Sequence, residues 1–183
     1  MDATSWFLCH IILTATANVA INFSINHQII TNLLPGVFFG MALRLLLGIT
    51  VPMENMGEEI MVYYFMGLII NRISSLIVKP ILKRCRFIHE VPYSDYAKAA
   101  KVDSKIDVLS ETNNYFRALL TSCLLLIVIA ILQISVCNIK WFSLNWKWLS
   151  LIFLSLLFLF AYKKQTKFIC KRIEAVKAFK DKD

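Results

Sequence analysis

From Ala118 to Val136 the chain runs without a single charged residue, and from Leu149 to Tyr162 it does so again. The apolar residues are clustered rather than periodic; in Leu149–Tyr162 only Ser150 and Ser155 are polar. A helix crossing the hydrocarbon core of a bilayer needs about 20 such residues, or about 17 at the short end. Two earlier stretches are apolar with isolated interruptions. The pattern predicts four membrane-spanning helices, over about 29–49, 60–82, 116–136 and 146–162. Buried helices of a soluble domain are the alternative. Several such runs in one small chain leave too little soluble sequence to cover them.

Residues 1–28 are harder to place. The apolar run Trp6–Phe23 is interrupted by His10, Thr14, Thr16, Asn18 and Asn22. It is either a fifth span, a helix lying in the interface or a re-entrant segment. Ala15-x-Ala17 imitates a signal-peptide cleavage site, but the basic region that should precede it is missing. The expected fold is therefore an all-α integral membrane protein. It has four transmembrane helices plus this N-terminal apolar segment.

The pattern changes character between the second and third spans. Pro92 marks a turn in the 87–115 insertion. Ser94 or Asp95 can cap a short helix through Lys101. Ser104-x-x-Asp107 resembles a capping box, which satisfies free N–H groups at a helix start. Ile106, Leu109 and Asn113 then recur at helical spacing. The sequence predicts that this helix runs unbroken into the third span. From Lys105 to Val136 it would be roughly 48 Å long at 1.5 Å per residue, so the third span extends into the cytosol. The chain divides into an N-terminal segment (1–28), a first transmembrane hairpin (29–86), a cytoplasmic helical insertion (87–115), a second hairpin (116–162) and a basic tail (163–183).

Charge orients the spans. The chain has 183 residues, 58% hydrophobic content, 20 Lys and Arg, a formal net charge of +8 and a mean hydropathy of +0.63. Fifteen of those cations lie in two stretches. One holds Lys79, Lys83, Arg84, Arg86, Lys98, Lys101 and Lys105; the other holds Lys163, Lys164, Lys167, Lys171, Arg172, Lys177, Lys180 and Lys182. Both abut apolar runs, where the positive-inside rule puts them in the cytoplasm. Anionic lipid headgroups account for such clusters, and direct nucleic-acid binding is not expected. The turns assigned to the other side fit. Pro52–Glu59 is acidic, and Cys137–Asn145 carries only Lys140. Trp141, Trp146 and Trp148 at one end of the last hairpin and Tyr162 at the other read as aromatic belts. Cys85 and Cys170 then face a reducing cytosol. With no CxxC spacing among the five cysteines, neither a disulfide framework nor a zinc site is expected.

Polar residues inside apolar runs are the candidate functional positions. Gly36, Gly40, Arg44 and Gly48 recur every four residues along one helix stripe. Gly36-x-x-x-Gly40 lets two helices approach closely, within one chain or between subunits. Arg44 either snorkels to headgroups or pairs with Glu58 or Glu59. Asn71 and Arg72 interrupt the second span. Arg72 either snorkels or meets Asp107, Glu111, Asn113 or Asn114 at the membrane end of the insertion, where Arg117 also sits. This cluster is expected to join the cytoplasmic helix to the bundle and to serve coupling or partner docking. The basic tail contributes Lys163, Lys164, Lys167, Lys171 and Arg172.

Catalysis finds no footing. HExxH, GxSxG and glycine-rich phosphate loops are absent, the apolar runs hold no Asp or Glu, and His10, His27 and His89 are scattered. No catalytic residue, metal or cofactor is expected.

Three segments carry a resemblance. They are LLPGVFFGMALRLLLGI (Leu33–Ile49), YYFMGLIINRISSLIVKPILKR (Tyr63–Arg84) and YSDYAKAAKVDSKIDVLSETNNYFRALL (Tyr93–Leu120). They combine an Arg72-to-Leu76 run, Tyr93 and Tyr96, and an Asn113-Asn114-x-x-Arg117 entry into the next span. The pattern resembles small bacterial polytopic membrane proteins of anti-phage cassettes, and the membrane subunit of the Kiwa system is similar in size and span number. The resemblance implies a homo-oligomer of the inner membrane, a tetramer if the likeness extends so far. It also implies a soluble DNA-binding protein held at the cytoplasmic face and a role in sensing envelope disturbance. Two functions are weighed on this basis: a scaffold or sensor docking a soluble partner, and a pore-forming effector that depolarises the membrane. A lipid-active enzyme, the third reading, lacks a nucleophile–base pair.

Overall fold

The computed structural model describes residues 29, 31–49, 55–137 and 145–180. The expectations for residues 1–28, for the start of the acidic turn, and for the Cys137–Asn145 turn with its tryptophan side chains lie outside the described residues. Among those described, every regular element is helical and none is a strand. Helix α1 spans Thr31–Leu47 and α2 Met56–Arg84. Helices α3 (Tyr93–Val102), α4 (Lys105–Cys137) and α5 (Asn145–Lys180) follow. Three helices, α2, α4 and α5, are long and apolar enough to cross a membrane, and α1 is apolar but shorter.

Local chemistry explains where the helices start, bend and stop. Asn55 opens α2 by accepting the Glu58 N–H at 3.0 Å, while its own amide donates to the Glu58 carboxylate at 3.1 Å. Near its other end α2 widens into a π-helical turn over Ser74–Val78. Pro80 lies just beyond. Its ring would clash with the carbonyl of Leu76 in a regular helix, and the widened turn relieves that clash. α1 closes on Gly48, whose φ of 68° is left-handed, with its N–H returned to the Leu43 carbonyl. Two expected caps are corrected. Ser94 and Asp95 lie inside the first turn of α3, which is flanked by Pro92. α4 is capped by Asp103 rather than by a Ser104 box: Asp103 Oδ1 accepts the Lys105 N–H at 3.1 Å. The extended backbone of Asp103 (φ −131°, ψ 97°) frees its carboxylate to do so.

α4 runs without a break from the polar insertion into the apolar run. α5 does the same in reverse, continuing past Tyr162 through the basic stretch to Lys180. Neither contains Gly or Pro, so nothing in either sequence interrupts helical hydrogen bonding. At 1.5 Å per residue they are about 50 and 54 Å long.

The two long helices share two separate cores. The first gathers Phe39, Leu43, Ile70, Ala118, Cys123, Leu126 and Leu151, from α1, α2, α4 and α5. The second gathers Ala99, Ile106, Ile169 and Ile173 from α3, the start of α4 and the end of α5, with Val91, Tyr96, Leu109 and Val176 packed around it. Each fully buried Ile contributes about 1.5–3 kcal/mol. Around the first core the apolar surface stays outside: Leu45, Phe65, Ile69, Ile131 and Phe153 are all more than half exposed.

Candidate functional site: a polar belt between the cores

A layer of polar side chains separates the two cores. α1 meets α2 through small residues. A Cβ on Gly36 would overlap the Tyr63 carbonyl, one on Gly67 would overlap the Asn32 carbonyl, and one on Gly40 would meet the Tyr63 ring. This contact lies within one chain, the first of the two roles open to GxxxG. It brings Asn71 and Asn32 together, with Asn71 Nδ2 donating to Asn32 Oδ1 at 2.6 Å. Gly48 does not belong to this stripe. Among the described residues nothing lies within 4 Å of where its Cβ would be, and its place follows from the left-handed cap.

Arg117 forms the centre of the belt. It is 7% exposed. Its Nε donates to Ser74 Oγ at 2.7 Å and its Nη2 to Ser75 Oγ at 2.9 Å. Ser74 and Ser75 open the π-helical turn of α2. The expected cluster is therefore divided by the faces of α4. Arg117, Glu111 and Asn114 turn toward Asn71, Arg72 and Ser75, with which they line a cavity of about 290 Å³ that Thr31, Asn32 and Leu68 complete. Asn113 turns instead to α5, where it accepts the Thr166 hydroxyl at 3.2 Å. Asp107 lies a turn further out and accepts the Tyr96 hydroxyl of α3 at 2.8 Å. Arg72 is exposed.

Arg44 is exposed as well, and the ion pairs described do not include it with Glu58 or Glu59. Glu59 instead accepts the Tyr63 hydroxyl at 2.7 Å. At the far end of the bundle, Gln133 donates to the Leu47 carbonyl at 3.3 Å and so ties the last turn of α1 to α4. Tyr162 corrects the aromatic-belt expectation. It is fully buried among the helices, and among the described residues its hydroxyl has no hydrogen-bond partner.

Ion pairs fasten the annex, formed by α3, the start of α4 and the end of α5, around the second core. Arg172 bonds Asp103 at 2.5 Å and Lys177 bonds Asp95 at 3.2 Å. Lys79 and Lys83 both reach Glu90 at 2.9 Å. Burial by itself would raise the Glu90 carboxyl. The two lysine hydrogen bonds and their charge overcome that and hold it below its usual range. The Arg172 guanidinium likewise holds Asp103 below its usual range. Lys163 caps the Phe87 ring at 4.2 Å. Lys164, Lys167 and Lys171 remain exposed.

Ser74, Ser75 and Asp103 carry the geometry without having been singled out by sequence reasoning. Pro80, five and six residues beyond the serines, is the signal that could have flagged a distorted turn there. Among the described residues no group of His, Cys, Asp and Glu is arranged to hold a metal ion. Comparison of the chain with protein-family models, with curated proteins and with solved structures finds no match, so its functional reading rests on the geometry above.

Proposed function

We propose that this chain is an oligomeric membrane scaffold or sensor. It spans a bacterial inner membrane four times and presents its annex to a soluble cytoplasmic partner. One observation carries the reading: two hydrophobic cores are built on the same two unbroken helices, with a hydrogen-bonded belt between them. A bare pore has no use for the second core. The bundle leaves large apolar side chains facing outward, as lipid-facing or subunit-facing surfaces do. The annex leaves Tyr93, Val102 and Val108 exposed, together with Lys98 and Lys101. That mixture suits a protein partner. The resemblance to membrane subunits of anti-phage cassettes supplies the setting, with a DNA-binding protein as the partner class.

Affinity purification from membranes tests the reading. The wild-type chain should recover as an oligomer with a soluble partner. Arg172→Glu, which opposes Asp103, should stay in the membrane and lose that partner. Recovery of monomer alone, with no partner, would remove the proposal's support. Steady conductance from the pure protein in planar bilayers would favour the depolarising pore instead. Unchanged phage plating after deletion of the gene would remove the defence setting.

A further inference from the structure

We infer that the cavity between α1, α2 and α4 is a binding site for a phosphate-bearing anion at the basic boundary of the bilayer. Arg117 motivates it. A guanidinium this deeply buried is costly unless its charge is met, and among the described residues its hydrogen-bond partners are two neutral serine hydroxyls. The serines fix the plane of the fork without neutralising it. Arg72 lines the same cavity, and Glu111 is the carboxylate on its wall, so two cations face one anion. Asn114 adds amide donors at the rim. Two arginines lining one hollow supply the charge and the N–H donors that a phosphate requires. The π-helical turn of α2, which Pro80 enforces, opens on Ser74 and Ser75 and so sets them against Arg117.

Position selects the chemistry further. Arg117 immediately precedes the chargeless run of α4, and the basic end of α2 follows within three turns. Basic pockets between membrane helices at that depth take lipid headgroups. The same phosphate chemistry is offered by a soluble phosphomonoester, and the test separates the two. The inference rests on the membrane placement proposed above but not on the docking role, since it is read on purified protein with no partner present.

Native mass spectrometry of the full chain in detergent micelles provides the measurement. The probes are phosphatidylglycerol, glycerol 3-phosphate and, lacking phosphate, diacylglycerol. Phosphatidylglycerol should be retained at least about tenfold more than diacylglycerol. Arg72→Gln, at an exposed position, should reduce that retention to the diacylglycerol level. Arg117→Lys, which keeps the charge but loses the fork, should weaken it. If glycerol 3-phosphate alone is retained in an Arg72-dependent way, the site stands and its anion comes from water. If Arg72→Gln binds both phosphate probes as the wild type does, or diacylglycerol binds as well as phosphatidylglycerol, the inference is overturned.

Discussion

Gly67 and Gly48 illustrate how one residue type does unrelated work in neighbouring helices. At Gly67 the absence of a side chain lets the α2 backbone touch the Asn32 carbonyl. An added methyl group must push two backbones apart, at about 1–3 kcal/mol. Among the described residues nothing crowds Gly48, and Gly48→Ala meets left-handed strain of about 1–2 kcal/mol. The costs overlap, but the geometric consequences do not. With cysteines placed at positions 32 and 71, oxidative cross-linking should fall sharply on Gly67→Ala and persist on Gly48→Ala. Equal cross-linking in both would contradict the packing described for α1 and α2. Residue types of this kind are legible in sequence, but their use is less so. Gly36 and Gly40 announce a close contact by their spacing. Gly48 shares that spacing and has no part in it.

The elements themselves were largely legible, and the places where expectation failed have physical causes. The unbroken passage from Lys105 into the apolar run follows from helical spacing and the lack of Gly or Pro. The partner of Arg117 does not follow, because Asn71, Arg72, Ser74 and Ser75 are all polar within one turn of α2 and their spacing does not say which of them faces α4. Arg72 stays exposed, Ser74 takes the buried position, and Ser75 reaches Arg117 from the exposed side of the turn. Tyr162 reads as an interface residue only if α5 ends there. The helix continues and the tyrosine is enclosed. Asp103 links three elements by capping α4 and holding Arg172 of α5, while also ending α3. Its carboxyl is held below its usual 3.8, so the folded state favours the ionised form. The associated stability is present above that value and is lost as the pH falls below it. Glu90, held below 4.5, acts in the same direction. The annex of the wild type should therefore loosen on acidification below about pH 4.5. Asp103→Asn should flatten part of that dependence, measured as melting temperature against pH from 3 to 7. A profile as steep in Asp103→Asn as in the wild type would contradict the role given to Asp103.

At the scale of the whole molecule, two ties bound the apolar bundle. The Asn32–Asn71 and Arg117–serine bonds close its basic end, and the Gln133–Leu47 bond closes the other. From Arg117 to Gln133 along α4 is about 24 Å, which in the proposed placement would match a somewhat thin hydrocarbon layer. The placement makes a labelling prediction. Cys85 is exposed just past α2, while Cys123 is buried in the first core. With the other cysteines replaced, a membrane-impermeant maleimide should reach Cys85 from the cytoplasmic side only and should not reach Cys123 from either side. Modification of Cys85 in intact cells would reverse the proposed orientation.

Because α4 and α5 pass through the belt without a joint, the annex must follow any tilt of the apolar bundle. A change in membrane thickness or curvature that leans these rods by 10° would sweep their tips, some 20 Å beyond the lipid, sideways by about 3–4 Å. A displacement of that size is enough to break or remake a docking face. In the proposed placement, strain in the bilayer would thus reach the proposed partner as motion, with no ligand needed to carry the message.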